Sequence, residues 1–257
     1  GLHIAQSGAA HAVSNRSLMK TFHQCAIALA MTLVLLAFPG DRARAQASVD
    51  VALVLAVDAS TSVNREEFGL QLDGIAASLR HPRVIQAIRN GAVGAVAIAL
   101  VEWSSPHQTW LAIPWTRISD AASANRLADM ISETPRLFAD GGMAIGASIR
   151  FSAEQFRNLP FPAGRRVIDI SGDGSNTHLP DVATERDAAV AAGITINGLP
   201  ILSREEDIEN YYRSRVIGGN NAFTEVAVDY ESFHSAMLRK LLREIRSDSL
   251  VSVLVPD

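Results

Sequence analysis

Along the chain, continuous apolar runs alternate with apolar positions at helical spacing. Residues 51–57, VALVLAV, are seven apolar positions in a row, which predicts a parallel strand covered on both faces. Over 65–79 the apolar residues Phe68, Leu72, Ile75, Ala76 and Leu79 recur every three or four positions, with Glu66 and Glu67 at the front. That is the pattern of an amphipathic helix with acidic residues near its positive end. Residues 91–103 and 108–113, joined by SSPH, predict a hairpin at one edge of the sheet. Helices follow over 121–131 and 145–156, on either side of a glycine-containing loop at 138–142. Residues 166–171 predict a strand, 182–192 a helix closed by Gly193, and 194–201 another strand. A short helix over 205–213, a strand over 223–228 and a helix over 230–246 complete the pattern. In the last helix Phe233, Met237, Leu238, Leu241 and Ile245 form one stripe.

Strands alternating with helices define an α/β fold. The expected architecture is a doubly wound, mostly parallel central sheet with helices on both faces and one antiparallel edge hairpin. In such sheets ligands bind beyond the carboxyl ends of the strands. That rule selects two turns, DASTS after the first strand and GDGSN after RVIDIS. Asp58, Ser60 and Ser62 place a carboxylate and two hydroxyls at alternate positions, and Asp173 brings a second carboxylate from another strand end. These are hard oxygen donors of the kind Mg²⁺, Mn²⁺ or Ca²⁺ prefers. The competing reading is that Asp58 and Ser60 only satisfy backbone donors at the start of the next helix.

The N-terminal region changes the picture of where the protein works. Residues 25–38, CAIALAMTLVLLAF, follow Lys20 and precede the small-x-small triplet Ala43-Arg44-Ala45. This predicts a signal peptide over 1–45 with cleavage after Ala45, since the apolar run is nearer an h-region than a span of about 20 residues. Met19 is the expected start, residues 1–18 being an over-extended reading of the gene. A single domain over 46–257 with no stable membrane span would remain, periplasmic or secreted. The formal net charge of −4 becomes more negative without Arg16, Lys20, Arg42 and Arg44, so no basic stripe is left for nucleic acid. The sole cysteine, Cys25, lies in the leader. Its loss excludes a disulfide scaffold, a cysteine-ligated zinc site and a cysteine nucleophile.

With DASTS after a buried first strand, DGGMAIGASI in mid-chain and RRVIDISGDGSN later, the chain resembles von Willebrand factor A (VWA) domains. VEWS, AAGITINGLPI and VIGGNNAF add a resemblance to an uncharacterised bacterial VWA-like family, a domain of unknown function. The resemblance implies a metal-ion-dependent adhesion site (MIDAS) in a non-catalytic protein-binding module. Asp58, Ser60 and Ser62 match its first loop and Asp173 its third, and the ion would be completed by an acidic side chain of a protein partner. The last helix would then shift along the sheet when a ligand binds. The second loop departs from the family pattern, because Met143 stands where a threonine is usual and a thioether is a poor ligand for a hard cation. Water would replace the missing hydroxyl, or Asp140 would move in. Asp169, on the same side of its strand as Val167 and Ser171, is expected to be buried, either behind the metal ligands or in a plain structural role.

Other chemistries fit the sequence less well. Residues 141–148, GGMAIGAS, have the glycine spacing of a phosphate loop but Ala147 in place of its lysine, so no nucleotide is expected. A metal-dependent phosphatase with Asp58 as nucleophile meets Ser60 where the second aspartate belongs, and Lys240 is the only lysine beyond the leader. No G-x-S-x-G elbow is present. His81, His107, His178 and His234 lack metal-ligand spacing, with His178 closest to the predicted rim, and Trp103, Trp110 and Trp115 read as packing residues. A metal-independent structural or assembly protein of the envelope is the main alternative.

Overall fold

The structure, a computed structural model, describes residues 47–246. The predicted signal peptide and Cys25 lie outside them. Strand β1 (Val49–Asp58) is buried along almost its whole length and occupies the centre of a five-stranded sheet of order β3-β2-β1-β4-β5. Its neighbours β2 (Val96–Trp103) and β4 (Ala163–Gly172) run parallel to it, β5 (Thr195–Pro200) runs parallel to β4, and β3 (Thr109–Ile118) is the antiparallel edge. The α/β class, the mostly parallel sheet and the single antiparallel pair are as the sequence pattern predicts.

The two faces of the sheet are packed differently. Val51, Leu53, Leu55, Val57, Ile98 and Leu100 project into the larger core, which holds helices α1 (Arg65–Arg80), α2 (Pro82–Arg89), α3 (Ala121–Ser132) and, last in the chain, α7 (Phe233–Arg246). Ala52, Ala56, Ala97 and Ala99 line the other face, with Ile145 and Ile149 of α4 (Ile145–Gln155) and Ala189 of α5 (Val182–Ala191) in the same core. Small side chains on that face let α4 approach the strands closely. The short α6 (Ile208–Tyr211) runs into a five-residue π-helical turn, Tyr212–Val216, whose Tyr212 and Val216 are buried on the same side.

Four boundaries differ from the sequence reading. Helix α2 was not marked by the apolar pattern; its signal is local, with Pro82 in the first turn and His81 Nδ1 accepting from Arg83 N. The predicted strand from residue 91 begins only at Val96, because the amides of Val93, Gly94 and Ala95 donate to the Asp50 carboxylate instead of a neighbouring strand. The returning strand extends to Ile118 through two irregularities of register, and Pro114 is tolerated because β3 is an edge. Residues 223–228 do not form a strand: they lie beside β5 with only isolated bridges, Thr224 to Gly198 and Ala227 to Ile201.

Beneath α7 sits a buried charged cluster. Lys240 Nζ lies 3.0 Å from Asp169 Oδ1 on β4 and also pairs with Glu244, whose Oε1 accepts from Asn197 Nδ2 at 2.8 Å. Burial pushes the Asp169 carboxyl up to about 7, with Lys240 opposing and Glu244 reinforcing the rise. A carboxyl whose folded pKa exceeds its unfolded value of 3.8 costs stability as pH climbs from the lower value through the higher. Asp169→Asn should therefore gain melting temperature relative to wild type between pH 5 and pH 8, by a few degrees. A wild-type-to-variant difference that stays constant across that range, in melts followed by circular dichroism, would contradict the assignment.

Candidate functional site

The turn leaving β1 is fixed from several sides before any ligand is considered. Asp58 is fully buried and its Oδ1 accepts from Ser60 N at 2.7 Å. Gln71 on α1 donates to the Asp58 carbonyl at 2.9 Å and accepts from the Ser171 hydroxyl at 3.2 Å. Arg136 Nη2 donates to the carbonyls of Ala59 and Ser60, at 2.9 and 3.1 Å. The segment carrying Arg136 is held in turn by Glu102, whose buried carboxylate receives the amides of Leu137 and Phe138. Burial raises the Glu102 carboxyl above its usual range, although those amides oppose the shift.

The predicted donors of the two turns converge. Ser60 Oγ and Ser62 Oγ are 3.0 Å apart, and the Ser62 hydroxyl donates to Asp173 Oδ1 at 2.6 Å. Asp173, also fully buried, accepts from the Tyr230 hydroxyl through Oδ2 at 3.0 Å, and Arg204 Nε lies 3.7 Å from the same oxygen. Arg204 also reaches the Ser62 carbonyl and Glu67. The helix that follows is capped by neither Asp58 nor Ser60. Asn64 and Glu67 do that work in a reciprocal capping box.

The middle loop approaches the same point. The amide and hydroxyl of Thr61 both donate to the Gly141 carbonyl, at 3.0 and 2.7 Å. Gly141 has φ +105, and a Cβ there would meet Gln108 Oε1, Ser105 Oγ and Ser104 Oγ at 2.7 Å or less, so conformation and space both demand glycine. Met143 follows, and its Sδ accepts from the Ser60 hydroxyl at 3.0 Å. Asp140 does not reach the cluster: its carboxylate receives Gln108 Nε2 at 3.1 Å. Asp169 does not either, being committed to Lys240 under α7. His178 stands on the rim with Nδ1 2.8 Å from Thr177 Oγ1.

Electrostatics at this point are strained by two carboxylates in one buried space. Burial, and then the charge of Asp173, raise the Asp58 carboxyl to about 7, with Ser60 and the nearby Asp173 backbone opposing the rise. The Tyr230 and Tyr212 hydroxyls are pushed up by burial and by the same two aspartates. Asp58 Oδ2 and the Tyr212 hydroxyl are buried and have no hydrogen-bond partner among the described residues. Both lie within 3.0 Å of where a Cβ on Gly172 would sit. No group of three or more His, Cys, Asp or Glu with metal-site geometry occurs among the described residues. Any cation here depends on the serine hydroxyls as well as the carboxylates.

Tyr230, Tyr212 and Arg204 were not singled out by the sequence. Arg204 had a usable signal, since it follows the carboxyl end of β5 and the rule that selected the other two turns applies there too. The tyrosines had none, because they come from segments distant in the chain.

The mostly parallel central sheet with helices on both faces is a VWA-like fold. The chain belongs to the family described as Protein of unknown function (DUF1194), whose model matches residues 48–249. Similar solved structures include the pilus adhesin SpaC from Lactobacillus rhamnosus GG, at 15% identity and TM-score 0.57, covering 78% of this chain and 31% of that one. Proximal thread matrix protein 1 from the mussel byssus, with a zinc-occupied MIDAS motif, matches at 14% identity and TM-score 0.54 over 76% of this chain and 48% of its own. A von Willebrand factor type A protein from Catenulispora acidiphila matches at 14% identity and TM-score 0.53, over 77% and 43%. The chain thus spans less than half of each of these proteins, and the likeness is one of fold. No curated protein matches it.

Gly172 is the tightest point of the cluster, with a substituted Cβ falling 2.9 Å from the Tyr212 oxygen and 3.0 Å from Asp58 Oδ2. Gly172→Ala should cost about 1–3 kcal/mol through overpacking. The loss is read from the denaturant midpoint, and an unchanged midpoint would show that Tyr212 yields freely.

Proposed function

We propose that the protein is an exported, non-catalytic binding module of the cell envelope that holds a divalent cation through Asp58, Ser60, Ser62 and Asp173. An acidic side chain of a protein partner completes the ion's coordination. The observation that carries this reading is the convergence of two serine hydroxyls and two buried carboxylates, one of which keeps an oxygen, Asp58 Oδ2, without a partner. A buried carboxylate in that condition is costly unless it is protonated or meets positive charge. The donor set fits a hard or borderline ion, which takes about six ligands and retains waters among them. Beyond the strand ends the ion would face the solvent side, where a partner's carboxylate can reach it. The signal peptide expected from the sequence supports export, and no helix among the described residues is long and apolar enough to cross a membrane.

Catalysis has less to draw on. Lys240, the only lysine beyond the leader, is buried with Asp169 and Glu244 and contributes nothing near Asp58. A second reading is favoured by one observation: both oxygens of Asp173 already have partners in Ser62, Tyr230 and Arg204. On that reading the cluster is a self-contained polar network in a metal-independent assembly protein.

Calorimetric titration separates the two. At least one of Mg²⁺, Mn²⁺ and Zn²⁺ should give saturable heat with the wild type, and Asp58→Ala should weaken binding at least about tenfold, the low end of what even loss of a supporting contact costs a metal site. No heat from wild type with any of the three ions at millimolar concentration would leave the metal-independent network as the surviving reading. Retention of a protein partner from envelope extract should likewise be lost on adding chelator.

A further inference from the structure

Among the atoms gathered around Ser60, one is not oxygen. Met143 Sδ lies 3.0 Å from Ser60 Oγ, the same separation as that between Ser60 Oγ and Ser62 Oγ. Adjacent oxygen ligands of an octahedral ion with bonds of roughly 2.1 Å are spaced by about 3 Å, and a zinc–sulfur bond of about 2.3 Å widens that only slightly, so Ser62, Ser60 and Met143 lie close to the spacing of neighbouring donors to one ion. Resting on the cation reading above, we infer that Met143 makes this site selective for a borderline divalent cation of the zinc class over Mg²⁺ and Ca²⁺.

The thioether is held where it is. Met143 is 7% exposed. Its amide donates to Thr177 Oγ1 at 3.1 Å and its carbonyl accepts from Thr177 N at 2.8 Å. Gly174 lies directly beside the side chain, a Cβ there falling at ordinary contact distance, 3.6 Å from Met143 Cγ and 3.8 Å from Cε. Proton positions agree with the assignment: Ser62 donates to Asp173 and Ser60 donates to Met143 Sδ. On that donor pattern the serine oxygens keep lone pairs for a cation, with the sulfur 3.0 Å from Ser60 Oγ beside them. Mg²⁺ and Ca²⁺ gain little from a thioether that occupies a position an oxygen would fill, whereas softer ions accept sulfur readily.

Affinity for zinc alone would not decide the matter, because oxygen sites also bind the later divalent metals more tightly than Mg²⁺. The informative quantity is the ratio of zinc to magnesium affinity across variants. The test is titration of Zn²⁺ and of Mg²⁺ into the full chain as wild type, Met143→Leu and Met143→Thr, with Asp58→Ala identifying zinc held elsewhere, such as by exposed histidines. Met143→Leu conserves volume and removes only the donor. Expected results are a Zn²⁺ affinity about tenfold lower in Met143→Leu, a scale seen when metal sites lose a supporting contact, and a zinc-to-magnesium ratio at least about tenfold lower in Met143→Thr. Zinc X-ray absorption should show a sulfur neighbour in wild type that Met143→Leu lacks. If all three proteins bind both ions with the same ratio and no sulfur neighbour is seen, the inference fails while the cation reading stands. If no ion binds wild type or Met143→Thr in a manner that Asp58→Ala abolishes, the cation reading fails and this inference with it.

Discussion

Asp58 terminates a strand whose other side chains from Val51 onward are apolar and buried, and the conditions of its carboxylate organise the carboxyl edge of the sheet. An anion in such surroundings is neutralised, hydrogen-bonded or matched by a cation. The chain supplies the Ser60 amide to one oxygen and nothing from the described residues to the other. Asp173, one strand away, faces the same problem and is met more fully, by Ser62, Tyr230 and Arg204. The two carboxylates at this edge are thus unequally satisfied, and the proposed cation site rests on that asymmetry.

Rigidity around the pair comes from residues that touch neither carboxylate. Glu102 anchors the segment that carries Arg136, and Arg136 holds the carbonyls of Ala59 and Ser60. Gly141 receives Thr61 from the same turn. Arg136 thus grips the DASTS turn by its carbonyls, and Gly141, in the same loop, takes both the amide and the hydroxyl of Thr61. Positions fixed through backbone contacts tolerate side-chain exchange, and a methionine in the middle loop fits that design.

The sheet, its order of elements and the convergence of Asp58, Ser60, Ser62 and Asp173 were legible because each depends on a local signal: an uninterrupted apolar run, or polar residues directly after one. What was not legible depends on distant partners. The segment 223–228 has the composition of a strand, yet Glu225 and Ala227 bond β5 only intermittently. Asp140, offered by the sequence as a donor that would move in, is taken by Gln108, and Asp169, buried as expected, pairs with Lys240, a partner from the last helix that the sequence did not indicate. Helix α2 was hidden because eight residues are too few for its periodicity to stand out.

Lys240 has one more implication. It is the only lysine within residues 47–246, and it is entirely buried between α7 and the sheet. The folded surface of this region therefore presents arginine as its only strongly basic side chain and offers no ε-amine to acylating reagents, cross-linkers or modifying enzymes. Its one ε-amine becomes reactive only when the last helix lifts from Asp169, so covalent amine labelling reports on the seating of that helix.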